Sequence, residues 1–132
     1  MKKYYLMAIE NNYSDAMNNL GQYYHNMEKD YNEMKKYYLM AIELGNSYAM
    51  KNFGNYYYII EKDYDEMKKY YLMSIELGQV VSMYNLGQYY HNIEQDYDEM
   101  KKYYLMAIEL GNSNAMFNLG SYYYIIEKKY DE

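Results

Sequence analysis

The string Met-Lys-Lys-Tyr-Tyr-Leu-Met begins at Met1, Met34, Met67 and Met100, so the 132 residues divide into four units of 33 (4 × 33 = 132). A period of this size is a severe constraint. Each unit must be one supersecondary element that cannot bury its apolar face alone, so neighbouring units have to stack to make a core. Within a unit the pattern is helical. Asp63 followed by Glu66 reads as an N-cap with its capping-box partner. Met67, Tyr70, Tyr71, Ser74 and Ile75 then recur at helical spacing along one face, and Gly78 supplies the left-handed residue that stops the helix. The same start and stop recur at Asp30/Glu33 with Gly45 and at Asp96/Glu99 with Gly111.

A second helix fits Ser47 to Glu61, where Met50, Phe53, Gly54, Tyr57 and Ile60 share a face. Glycine inside a helix costs about 1 kcal/mol relative to alanine. Its return at Gly21, Gly54, Gly87 and Gly120 therefore asks for a packing reason, and the close approach of a neighbouring helix is the obvious one. The expected fold is all-α: one repeat domain over residues 1–132, with units 1–33, 34–66, 67–99 and 100–132. Each unit holds two antiparallel helices of roughly 13 residues, about 20 Å long, which makes eight helices in all.

Composition narrows the function. The chain is rich in tyrosine (25) and methionine (13) and has no proline, tryptophan or cysteine. Without cysteine there is no disulfide framework, thiolate metal site or cysteine nucleophile, and a reducing, cytoplasmic setting fits. Net charge is −6 and every basic residue is lysine. That balance disfavours nucleic acid, whose binding depends on neutralising phosphates. No long apolar run suggests a signal peptide or a membrane span. His25 and His91 occupy the same site two units apart, about 20 Å from each other if helix layers stack about 10 Å apart. They are too distant to share a metal ion. No nucleophile elbow, phosphate loop or metal-ligand cluster is present. The expectation is a non-enzymatic protein without a cofactor.

Two stretches resemble known repeats. Ala115-Met116-Phe117-Asn118-Leu119-Gly120-Ser121-Tyr122-Tyr123 is similar to the first helix of Sel1-like and tetratricopeptide repeats. Tyr97-Asp98-Glu99-Met100-Lys101-Lys102-Tyr103-Tyr104-Leu105-Met106-Ala107-Ile108-Glu109 is similar to the second. The turn from Glu109 through Gly111 to Ala115 matches Sel1-like spacing. The other connection, Glu61-Lys62-Asp63, is shorter than Sel1-like repeats usually have and closer to a tetratricopeptide repeat. The resemblance spans the whole chain. It implies a right-handed α-α superhelix, and it implies an architecture rather than one activity.

Comparing the four units shows where they differ. The variable sites of the first helix are Asp15/Tyr48/Val81/Asn114, Asn18/Lys51/Tyr84/Phe117, Gln22/Asn55/Gln88/Ser121, His25/Tyr58/His91/Tyr124 and Asn26/Ile59/Asn92/Ile125. At about 100° per residue these fall on one arc, opposite the Met50-Phe53-Gly54-Tyr57 face. In tetratricopeptide repeats that arc lines the concave, peptide-binding groove, so the resemblance implies a protein or peptide partner here. A merely solvated face would also vary, but it usually drifts to Lys and Glu, whereas these sites hold mostly aromatic, aliphatic and amide residues. Asn19, Asn52, Asn85 and Asn118 do not vary. They resemble the asparagine ladder of some tetratricopeptide and armadillo proteins. A side-chain amide can bracket a peptide group, or it can simply tie its own helix to a neighbour. Lys51, Asn55 and Asn85 resemble part of a carboxylate clamp, although Val81 and Asn114 stand where further cations would be wanted. The candidate groove is Asn19, Asn52, Asn85, Asn118, Lys51, Asn55, Tyr58, Tyr84, Gln88, His91, Phe117 and Tyr124.

The phase of the units raises a second expectation. The chain opens on a second helix and closes on a first helix, with no polar capping unit. It reads as a segment of a longer array whose ends could stack head to tail.

Overall fold

A computed structural model describes residues 2–131. Its seven α-helices are α1 (Lys2–Tyr23), α2 (Tyr31–Glu43), α3 (Ser47–Tyr56), α4 (Tyr64–Glu76), α5 (Val80–Tyr89), α6 (Tyr97–Glu109) and α7 (Ser113–Asp131). There is no strand among the described residues. The chain falls into two compact units, Met1–Leu77 and Gly78–Glu132. In the first unit α1 packs on α2 and α3 on α4, with α1 beside α3; in the second α5 packs on α6, with α6 and α5 both touching α7. This is the stacked helix-pair fold the repeat implies.

The expected starts and stops are present. Asp30, Asp63 and Asp96 cap α2, α4 and α6, each accepting from the amide three residues on at 3.2 Å. Such a cap contributes about 1 kcal/mol. Gly45, Gly78 and Gly111 end those helices at φ +81°, +85° and +87°, a region that favours glycine.

The number of helices needs correction, from the eight expected to seven. At the position of those three glycines the first unit has Asn12. Without a glycine to take the left-handed turn cheaply, the first pair of expected helices runs on as the single helix α1.

The second difference lies at the other connection. After α1, α3 and α5 the backbone widens into π-helical turns, Tyr24–Glu28, Tyr57–Glu61 and Tyr90–Glu94. Each ends on a non-glycine left-handed residue: Lys29, Lys62 or Gln95, at φ 53°, 54° and 55°. The next amide closes the turn, as Asp63 donates to the Tyr57 carbonyl at 3.0 Å. The wider turn rotates the face of the helix. Ile60, expected to share the Met50-Phe53-Gly54 face, is exposed, whereas Ala49 and Tyr56 are buried.

In the first unit the core is Met17, Met34, Tyr38, Ala41, Ala49, Phe53, Tyr56 and Tyr70. In the second it includes Met83, Leu86, Tyr89, Met100, Tyr104 and Leu119. Burying a ring or long aliphatic side chain of this size contributes roughly 1.5–3 kcal/mol. Tyrosines also stack in parallel at a repeated offset: Tyr24 on Tyr37, Tyr57 on Tyr70 and Tyr90 on Tyr103, at 5.5, 5.9 and 5.8 Å. Lys36, Lys69 and Lys102 lie over the second ring of each stack at 5.4, 5.1 and 5.1 Å, a cation–π contact.

The recurring helical glycines have the packing role that their cost demanded. A β-carbon on Gly21, Gly54 or Gly87 would lie 2.5, 2.6 or 2.5 Å from the ring of Tyr38, Tyr71 or Tyr104. The close neighbour is thus the second helix of the same pair, at a constant offset of 17 residues. Burial pushes the Tyr38 hydroxyl up to about 12.

Candidate binding surface

The sequence-predicted groove residues lie on the first helices α1, α3, α5 and α7 and on the π-turns that follow α3 and α5. In the second unit, α5, α6 and α7 bring several of them together around a cavity of about 280 Å³. Gln88, His91, Asn118 and Phe117 line it, along with Tyr104 and Ser121. The Tyr84 hydroxyl accepts from Gln88 Nε2 at 2.9 Å and from Asn118 Nδ2 at 3.2 Å. Asn118 Nδ2 also reaches the Tyr104 hydroxyl at 3.4 Å. His91 meets the edges of Tyr97, Tyr104 and Tyr122 at 6.1, 6.2 and 5.9 Å. Phe117 stands 74% exposed at the rim. An aromatic wall beside fixed amide groups can hold an apolar side chain while the amides meet its backbone.

In the first unit the same positions are arranged similarly. Asn52 Nδ2 donates to Asn18 Oδ1 at 3.0 Å. This pair has the same 34-residue offset as Asn118 with Tyr84, so in both units the invariant asparagine ties one first helix to the next. The Tyr71 hydroxyl donates to Asn55 Oδ1. Lys51 lies over the Tyr48 ring at 5.4 Å, and Tyr58 packs at 6.0 Å from Tyr64. Burial raises the Tyr58 pKa. Asn19 is exposed on the same arc, while Asn85 is half-buried and Tyr124 exposed. Tyr48 and Ile59 in the first unit, and Phe117, Tyr124 and Ile125 in the second, are all more than half exposed.

One arrangement was missed in the sequence. Tyr23, Tyr56 and Tyr89 donate to Glu28, Glu61 and Glu94 five residues on, across each π-turn. Lys35 pairs with Glu61 at 3.5 Å, beside an open cleft of about 550 Å³ between Glu28 and Asn32. The Tyr-x4-Glu spacing recurs in every unit and was the available signal. Among the described residues no group of three or more His, Cys, Asp or Glu could hold a metal ion. None of the described helices is long and apolar enough to cross a membrane.

Paired helices with a constant Gly–Tyr contact and a variable outer arc define an α-helical repeat protein. Over 86% of its length the chain is similar to a Sel1 repeat protein from Oxalobacter formigenes, with 32% identity and a TM-score of 0.70, and it spans about half (50%) of that protein. The fold is therefore that of a Sel1-like helical repeat. The immunity protein PA5088 from Pseudomonas aeruginosa shares the fold at 23% identity and a TM-score of 0.56, over 86% of this chain and 57% of that one. No protein-family model and no curated protein matches the sequence.

Proposed function

We propose that the chain is a non-catalytic interaction scaffold of the cytoplasm that binds an extended peptide or a helix of another protein along the outer arc of its first helices. The observation that carries this reading is the cavity beside Asn118, where Phe117 offers an exposed ring next to amides already oriented by Tyr84 and Tyr104. Orientation by neighbours lowers the entropy a ligand must take away on binding. The residues at this site include no paired nucleophile and base, and a net charge of −6 without arginine argues against nucleic acid.

The test is selection of random peptides displayed on phage against the full chain, with Phe117→Ser/Asn118→Ala as the counter-target. Peptides that bind the chain and lose at least tenfold in affinity on the variant support the reading. Peptides that bind both proteins equally contradict it.

A second reading is a structural array that associates with itself head to tail. It is favoured by the identity of the units, whose Gly–Tyr contact recurs at Gly21/Tyr38, Gly54/Tyr71 and Gly87/Tyr104 and could serve equally between copies.

A further inference from the structure

The variable row Asn18/Lys51/Tyr84/Phe117 carries a hydroxyl at one position only, Tyr84. The Tyr84 oxygen accepts from Gln88 Nε2 at 2.9 Å and from Asn118 Nδ2 at 3.2 Å, which fills both of its lone pairs. Its ring stacks on Tyr104 at 6.1 Å, which holds the hydroxyl in place. What Tyr84 has left is one O–H hydrogen, and that hydrogen can only donate.

Asn118 is the complement. A side-chain amide nitrogen carries two hydrogens, and Asn118 Nδ2 commits them to the hydroxyls of Tyr84 and, at 3.4 Å, Tyr104. Its Oδ1 is left, and it can only accept. Both residues are half-buried, so solvent reaches them in the free protein. Asn118 lines the cavity of about 280 Å³ between α5, α6 and α7, together with Gln88, His91 and Tyr104. A ligand that enters must offer groups of both kinds, because a polar group taken out of water without a partner is costly.

This pairing selects among ligand groups. A carboxylate offers only acceptors, an ammonium only donors, and an alkyl chain neither. No carboxylate, lysine or arginine lines the cavity to offset a charge, and the net charge of −6 opposes an anion. An amide has a carbonyl for Tyr84 and an N–H for Asn118. A trans peptide bond points its C=O and N–H in opposite directions, so one backbone group cannot serve two neighbours on the same side. A primary amide carries an N–H on the same edge as its oxygen.

We infer that the cavity beside Asn118 takes the side-chain carboxamide of a glutamine or asparagine of the partner, with its oxygen on the Tyr84 hydroxyl and its N–H on Asn118 Oδ1. Tyr84 is then a specificity-determining residue. This inference rests on the proposed peptide-binding function and names the side chain that the peptide places there.

The probes are the N-acetyl, N-methylamide derivatives of glutamine, glutamate, lysine and leucine, titrated at neutral pH into the ¹⁵N-labelled full chain while the Asn118 side-chain amide is followed by NMR. All four share the same backbone amides, so the leucine derivative reports what the peptide group contributes alone. The glutamine derivative is expected to shift the Asn118 amide and to bind at least tenfold more tightly than the other three, because a site with fixed polar partners rejects ligands that leave those partners unmatched. Tyr84→Phe keeps the ring but frees the N–H groups of Gln88 and Asn118, which suit a carboxylate, so the preference for glutamine over glutamate is expected to disappear. Equal binding of the glutamine and leucine derivatives, tighter binding of glutamate or lysine, no shift at Asn118, or an unchanged preference in Tyr84→Phe overturns the inference. Phage-selected peptides that lose affinity on Phe117→Ser/Asn118→Ala but lack glutamine and asparagine leave the peptide-binding reading standing and overturn only the carboxamide contact. Peptides indifferent to that double variant overturn both.

Discussion

The ring of Tyr71 fills the space that a side chain at Gly54 would need: a β-carbon there would lie 2.6 Å from Cδ1 and 2.7 Å from Cε1. The same tyrosine is buried and its hydroxyl donates to Asn55 on the outer arc. One residue thus joins the packing of the helix pair to the candidate binding surface. Gly54→Ala gains about 1 kcal/mol of helix propensity, but a buried ring must be displaced, and overpacking of that kind costs about 1–3 kcal/mol. Urea unfolding is expected to show a net loss for Gly54→Ala and a net gain for Gly120→Ala.

Lys62 holds a left-handed conformation at φ 54°. A β-carbon in that region costs roughly 1–2 kcal/mol, partly offset by the greater freedom that glycine brings to the unfolded chain. Lys62→Gly should therefore stabilise the protein by roughly 0.5–1 kcal/mol. The reverse experiment, Gly45→Ala at φ +81°, should destabilise it. Chemical denaturation of both variants measures the two signs.

The hydrogen bond from the Tyr56 hydroxyl holds the Glu61 carboxyl below its ordinary 4.5, with Lys35 adding to the effect and burial opposing it. A carboxylate with a lowered folded pKa contributes stability above 4.5 that is lost as pH falls through the folded value. Tyr56→Phe should raise the Glu61 titration midpoint, followed by carboxyl NMR, and flatten this part of the acid dependence.

Burial lowers the pKa of His25 below its ordinary 6.5, with its ring edge-on to Tyr31 and Tyr56 at 5.6 and 6.0 Å. The unfolded chain then binds the proton more readily than the folded one. Stability from neutral His25 is complete above 6.5 and falls as pH drops through 6.5 toward the folded value. An NMR titration should place the His25 midpoint below 6.5, and the urea midpoint should fall as pH is lowered from about 7.5 to about 5.5, less so in His25→Gln.

Local signals that act within one turn were legible in the sequence. Asp30, Asp63 and Asp96 cap where they should, Gly45, Gly78 and Gly111 turn where they should, and Met67 to Ile75 is buried as its spacing implies. Features that depend on a competing conformation were not. The expected break in the first unit falls at Asn12, where glycine stands in the other units, yet helix propagation prevails there. The π-turns arise because Lys29, Lys62 and Gln95 accept left-handed strain in exchange for a closed Asp cap, and no residue type announces that. The bonds among the candidate groove residues were not legible either. Asn52 and Asn118 each tie two first helices together through residues 34 positions earlier, a long-range contact visible only once the helices are stacked.

The binding claim is tested most directly by NMR mapping of the ¹⁵N-labelled chain with a phage-selected peptide. Shift changes are expected at Asn52, Asn118 and Phe117 and their neighbours on the outer arc, including the side-chain amide of Asn118. Changes confined to the exposed Leu39, Leu72 and Leu105 of α2, α4 and α6, with the asparagine amides unmoved, would contradict it.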